Sequence, residues 1–154
     1  MGLKIGIASI ALAAALFGQG AWAVDAAKPA DATLIAQGSK HWEEGRLEDA
    51  RKSFEKAVAA NPGSKDAHMK LAGLQLSSRN YAAAIQAYQR TISLDGKNAK
   101  AWIGLGMAYL HDGQSELSRA AFEEAVRVDP SRKTQLAQLM TKPARQEAPA
   151  PVGK

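Results

Sequence analysis

At 154 residues, with 46% apolar and 6% aromatic side chains, the chain is sized for one domain whose core combines alanine with a few large residues. It has no cysteine, which excludes a disulfide framework, a cysteine zinc site, a thiol nucleophile and a lipidated cysteine behind an export signal. The formal charge of +5 does not mark a nucleic-acid binder: residues 24–130 hold 14 basic and 14 acidic side chains, and the excess comes from Lys4 and from Arg132, Lys133, Lys142, Arg145 and Lys154.

Residues 1–23 have the pattern of a signal peptide. Lys4 is the positive start, residues 5–17 are the apolar stretch, and Ala21-Trp22-Ala23 offers small-x-small cleavage. The stretch falls short of the roughly 20 residues that span a bilayer as a helix. Cleavage after Ala23 is expected, which places the mature chain in the periplasm or outside the cell with no stable membrane anchor. An uncleaved anchor is the competing reading. Residues 24–30 are a short linker.

The following residues predict six helices, near 32–44, 47–60, 65–78, 81–94, 99–111 and 115–128, and they repeat with a period of 34. Ala50, Phe54, Ala57 and Pro62 return as Ala84, Tyr88, Thr91 and Gly96, then as Ser118, Phe122, Ala125 and Pro130. Leu34 and Gly38 align with His68 and Ala72, and with Trp102 and Gly106. Turn signals recur at Asn61-Pro62-Gly63, Asp95-Gly96 and Asp129-Pro130. Gly45, Arg79-Asn80 and Asp112-Gly113 mark the turn inside each unit. Trp102, Leu105 and Tyr109 share one helical face, as do Phe122, Ala125 and Val126. One helix pair cannot bury its apolar faces alone, so neighbouring pairs must stack.

After the last pair, Ser131 is the expected N-cap of a capping helix over 131–141, with Leu136, Leu139 and Met140 as its buried stripe. Residues 142–154 contain three prolines and no apolar period, and are expected to be a disordered, solvated tail.

These residues resemble the tetratricopeptide repeat family. Its pattern is matched throughout in 99–132 by Trp102, Leu105, Gly106, Tyr109, Ser118, Phe122, Ala125 and Pro130. It is matched well in 31–64, where Gln37 and His41 depart. In 65–98 it is degenerate, with His68, Gln75, Thr91 and Gly96 off-pattern. The resemblance implies an all-α, right-handed solenoid of three helix–turn–helix repeats, closed by a C-terminal helix. It also implies that the second, fifth, ninth and twelfth residues of each unit line a concave face. Those are Ala32, Ile35, Ser39 and Trp42; Asp66, Met69, Gly73 and Leu76; and Lys100, Ile103, Met107 and Leu110.

That face is unusually apolar, and exposed apolar patches mark interaction sites. The expected partner-binding residues are Ile35, Trp42, Met69, Leu76, Lys100, Ile103, Met107 and Leu110. The bland alternative is that some of them extend the core or meet the capping helix. Family members that hold acidic C-terminal tails use charged and amide residues at positions occupied here by Ile35, Ser39, Lys70, Lys100 and Gly104. Only Lys100 fits, so an apolar segment or amphipathic helix is the better ligand.

No catalytic, cofactor or metal site is expected. His41 and His68 fall at core positions, His111 ends a helix where it can cap carbonyls, and no ligand spacing assembles among the three. Gly104 and Gly106 lie in mid-helix without a phosphate loop. Glu43-Glu44 and Glu123-Glu124 point apart. The expected function is a non-catalytic adaptor or assembly factor that binds another protein or peptide, or a copy of itself. A self-assembling scaffold and an accessory subunit of an exported enzyme or secretion complex are the alternatives.

Overall fold

The computed structural model describes residues 30–140, which are helical apart from short turns. The expected signal, most of the linker and the tail lie outside the described residues. The helices are α1 (Ala30–Glu43), α2 (Leu47–Ala60), α3 (Lys65–Ser77), α4 (Tyr81–Leu94), α5 (Ala99–His111) and α6 (Ser115–Val128). A 3-10 turn, Pro130–Arg132, leads into α7 (Lys133–Met140). The sequence period placed the first six within two residues. No helix among the described residues is long and apolar enough to cross a membrane.

The first helix of each pair begins on a small polar residue where one is available. Ser64 Oγ accepts from Ala67 N at 3.3 Å, and Asn98 Oδ1 from Ala101 N at 3.1 Å. The second helices α2, α4 and α6 begin without a side-chain cap. Their entry is fixed by the preceding turn instead. Gly45, Arg79 and Gly113, spaced by the repeat, take φ of 75°, 61° and 82°. The next backbone N–H then bonds back to the carbonyls of His41, Gln75 and Tyr109 at 2.8–2.9 Å. Glycine adopts this left-handed conformation freely, whereas Arg79 holds it at a cost of about 1–2 kcal/mol.

Each pair closes where a ring meets a residue without a side chain. A Cβ on Gly38 would stand 2.5 Å from Phe54 Cε1, and one on Gly106 the same distance from Phe122 Cε1. Ser118 tightens the last pair by donating its hydroxyl to Gly106 O at 2.8 Å. The middle pair differs. Tyr88 sits in the register of the two phenylalanines, yet its ring lies against Gly104 of the following pair, so close that no Cβ fits there. Tyr88 therefore seals the seam to α5, and burial pushes its phenol pKa up.

First helices adjoin one another, α1 beside α3 and α3 beside α5. No Cα atoms of α2 and α4, or of α4 and α6, come within 8 Å. The stack is thus tight along its first-helix side and spread along its second-helix side. Spreading is what opens clefts between successive second helices.

Asn61, Asp95 and Asp129 also recur at the repeat spacing. Each accepts the backbone N–H two residues on, from Gly63, Lys97 and Ser131, at 3.1–3.2 Å. In the first two pairs the same side chain ties back to the start of its own pair. Asn61 Nδ2 donates to Asp31 at 3.1 Å, and Lys65 Nζ to Asp95 at 3.1 Å. In the last pair the residue in that place is Ala99, which offers no partner. Asp129 accepts forward instead, from the Ser131 hydroxyl at 2.6 Å and Arg132 Nε at 3.1 Å.

This corrects the expected start of the capping element. Asp129, not Ser131, is the capping residue, because Pro130 supplies a fixed φ and needs no N–H partner at the first helical position. The chain makes one 3-10 turn before α7. Leu136 of α7, 1% exposed, closes a cluster with Phe122 and Ala125.

Candidate functional site

The residues expected on the inner side divide by what they pack against. Ile35 and Trp42 lean on Ala50, Phe54 and Leu74. The Trp42 ring meets Phe54 edge-on, with centroids 6.3 Å apart. It also lies over α3, where a Cβ on Gly73 would approach its Cη2 to 3.3 Å. Met69 and Leu76 pack on the central cluster around Ala84, Tyr88 and Leu105. Ile103 and Met107 pack on the Phe122–Ala125–Leu136 cluster, beside Leu139 and Met140 of α7. Leu110 belongs to none of these three clusters. All seven apolar side chains are half-buried, and Lys100 is exposed. The row is therefore shared between packing and solvent, and its α5 part is bordered by the capping helix.

The three histidines have distinct settings. His68 Nε2 bonds to Pro62 O at 3.0 Å. One repeat later, Trp102 Nε1 donates to Gly96 O at the same distance. The imidazole thus replaces the indole in kind, tying the helix start to the loop before it. His41 is half-buried, with its Nδ1 out of reach of a partner. His111, expected as a carbonyl cap, stacks on Tyr81 with centroids 5.4 Å apart and planes 15° from parallel. Among the described residues no three His, Cys, Asp or Glu side chains are grouped to hold a metal ion.

Several surface charges pair with neighbours along the helices. Arg51 bridges Glu48 and Glu55, which holds the Glu48 carboxyl below the usual range. Asp95 is lowered by Lys65, and Asp129 by Ser131 and then Arg132. Asp31 is lowered by its hydrogen bonds to Ser64 and Asn61.

A cleft lies on the opposite side, between α4 and α6, with α5 as its floor. It measures about 400 Å³. Trp102, Leu105 and Tyr109 form the floor, Ile92 and Gln89 one wall, Leu117 and Glu124 the other. Gln89 Nε2 donates to the Tyr109 hydroxyl at 2.9 Å across it. A sister cleft of about 280 Å³ lies between α2 and α4, one repeat earlier. There His68 stands for Trp102, Gln75 for Tyr109, Ala83 for Leu117 and Arg90 for Glu124. Both clefts are mainly apolar, and they differ in the charged residue at the matching place, Glu124 in one and Arg90 in the other. The sequence reading missed the first because it took Trp102 and Tyr109 only as packing residues of a known pattern. The exposed Leu117, 48% accessible, was the available signal.

The family model described as tetratricopeptide repeat matches residues 35–99 and 74–133. A peroxisomal targeting signal receptor of Pichia angusta is 32% identical over 87 residues, which are 56% of this chain and 15% of that protein. An Hsp70-Hsp90 organizing protein of Triticum aestivum is 29% identical over 96 residues, 62% of this chain and 16% of that one. The chain thus spans only a small part of the curated relatives it matches. Among solved structures, MamA superposes with a TM-score of 0.68 at 27% identity, covering 75% of this chain and 67% of that one. The first repeat domain of Spaghetti (RPAP3), bound to the HSP90 peptide SRMEEVD, superposes with a TM-score of 0.67 at 18% identity, covering 71% and 90%. That second likeness concerns the fold.

Proposed function

The chain belongs to the tetratricopeptide repeat family, and from that membership we propose that it is an exported, non-catalytic adaptor, built of three such repeats, that captures a partner polypeptide along its first-helix side. The repeats are the three helix pairs, at residues 31–64, 65–98 and 99–132. The observation that carries this reading is the row of half-exposed apolar side chains, Met69, Leu76, Met107 and Leu110, on α3 and α5. Met69, Leu76 and Met107 pack partly on the core and leave the rest of their surface to solvent, and an exposed apolar row marks an interaction site. Methionine adapts to varied apolar ligands, which suits an amphipathic helix or an apolar extended segment.

An acidic C-terminal peptide of the kind seen with the Spaghetti domain is not the proposed ligand. Of the matching positions, Ile35, Ser39 and Gly104 supply no charge or amide, Lys70 stands where an amide is asked for, and only Lys100 fits. The signal-like residues 1–23 support a periplasmic or extracellular site of action.

Leu110→Asp is the cleanest test, because Leu110 belongs to none of the core clusters. Affinity capture from a periplasmic extract should lose its specific partner with this variant, while the helical circular dichroism signal stays at the wild-type value. Retained capture of the same partner places the binding face elsewhere.

A further inference from the structure

On the first-helix side, a polar atom from the opposite layer reaches the row of apolar side chains. Tyr88 belongs to α4, a second helix, and is 5% exposed. Its ring lies on Gly104 of α5, and its hydroxyl points toward Gly73 of α3. The oxygen stands 2.7 Å from the place a Cβ on Gly104 would take and 4.0 Å from that on Gly73. It makes no hydrogen bond among the described residues: burial alone raises its pKa, and no bonded partner contributes. Yet it is not sealed in. Among the described residues the one buried side-chain polar atom with neither partner nor solvent contact is Nδ1 of His41. The Tyr88 oxygen therefore keeps an opening, and Gly73, half-buried and on the inner row, is where the packing is thin enough to leave one. Met69, four residues before Gly73, and Met107, three after Gly104, are neighbours on the same helix faces. The hydroxyl is thus a polar point in an apolar surface, at a spot where a glycine lets a ligand's main chain come close.

We propose that the Tyr88 hydroxyl donates a hydrogen bond to a main-chain carbonyl of the captured polypeptide, and that this polypeptide is extended at that point. The inference rests on the first-helix side being the binding face. A phenol O–H held at this depth lacks an acceptor, and an extended segment offers a free carbonyl at each residue. A helix offers none before its last turn, because its carbonyls are bonded within it. An amphipathic helix laid on the row would cover the hydroxyl and leave it unsatisfied, at the expense of affinity.

The probe is a short linear peptide selected from a random displayed library on the purified full chain, kept only if Leu110→Asp abolishes its binding. That condition ties it to the proposed face. Tyr88→Phe should weaken the peptide about threefold to tenfold, the loss of one neutral hydrogen bond. The urea midpoint should stay near wild type, because Phe54 and Phe122 hold the same register. Replacing the peptide's amides with esters one at a time makes each carbonyl in turn a weaker acceptor. One such ester should weaken binding to the wild type and have little further effect on Tyr88→Phe, since both changes break the same bond. Equal affinity of wild type and Tyr88→Phe overturns the inference and leaves the face intact. So does a Tyr88→Phe loss that follows an acidic or amide side chain of the peptide rather than any ester, or a labelled peptide that NMR shows to be helical at the bonded residue. If no selected peptide is displaced by Leu110→Asp, the face itself is wrong and this inference falls with it.

Discussion

The middle and last helix pairs occupy the same register with different chemistry, and the contrast separates what the backbone requires from what the surface can vary. The last pair has Trp102, Tyr109, Gly113 and Ala125 where the middle pair has His68, Gln75, Arg79 and Thr91. The helices nevertheless run over matching ranges. Two of the substituted polar groups are satisfied locally. His68 reproduces the loop bond of Trp102, and Thr91 Oγ1 donates to Ala87 O at 3.0 Å within its own helix. The fold thus demands small residues at close approaches and rings to fill against them. At the consensus positions held by His68, Gln75 and Thr91, all buried, it tolerates polar residues as well as apolar ones.

The strongest way to break the comparison is at the rings. Phe122→Ala should cost about 3–5 kcal/mol, the price of a large-to-small change at a fully buried site, measured by urea denaturation. A loss below about 1 kcal/mol would show that the Gly106–Phe122 contact does not hold the last pair together. Next comes the seam. Gly104→Ala should lose about 1–3 kcal/mol through overpacking against Tyr88. Lys70→Ala, the same register one repeat earlier, faces solvent and should leave the denaturation midpoint within about 0.5 kcal/mol of wild type.

Finer changes sharpen the contrast. His68→Leu keeps an apolar body but loses the bond to Pro62 O, and should cost about 1 kcal/mol. His68→Trp should restore it, since Trp102 shows that an indole fits. Arg79→Gly should raise stability by up to about 1–2 kcal/mol by relieving the left-handed conformation; an unchanged melting temperature would deny the strain. The smallest effect belongs to the carboxylates at the helix starts and turns. Asp31, Asp95 and Asp129 have lowered folded-state pKa values, so their contribution is present above the ordinary aspartate value of about 3.9 and is lost as pH falls through the folded values. An acid titration should show stability declining below about pH 4, and Asp129→Asn should speed amide exchange in α7 before any other helix.

Much of this architecture was legible in the sequence because it is periodic. Helix bounds follow from turn residues at fixed spacing, and the close approaches from Gly38 and Gly106 recurring opposite Phe54 and Phe122. The reading faltered where a residue's role depends on a neighbour outside its own unit. Tyr88 aligns with the phenylalanines, but it turns to the next pair because Gly104, not Ala72, offers the hollow. Asp129 became a cap because Ala99 cannot claim it. Trp102 and Tyr109 line a cleft because α4 and α6 diverge, which a linear pattern does not encode. The inner row was identified by position, but its division between core clusters and capping helix required three dimensions.

The clasps at Asn61–Asp31 and Asp95–Lys65 carry a consequence for how the chain is made. Each joins a pair's last turn to its own first residue, only 30 positions earlier. No helix contacts one more than two elements away. Such low contact order favours rapid folding. A pair can close as soon as its final loop has been synthesised, without waiting for the C-terminus, and each newly finished pair finds a ready surface on the one before.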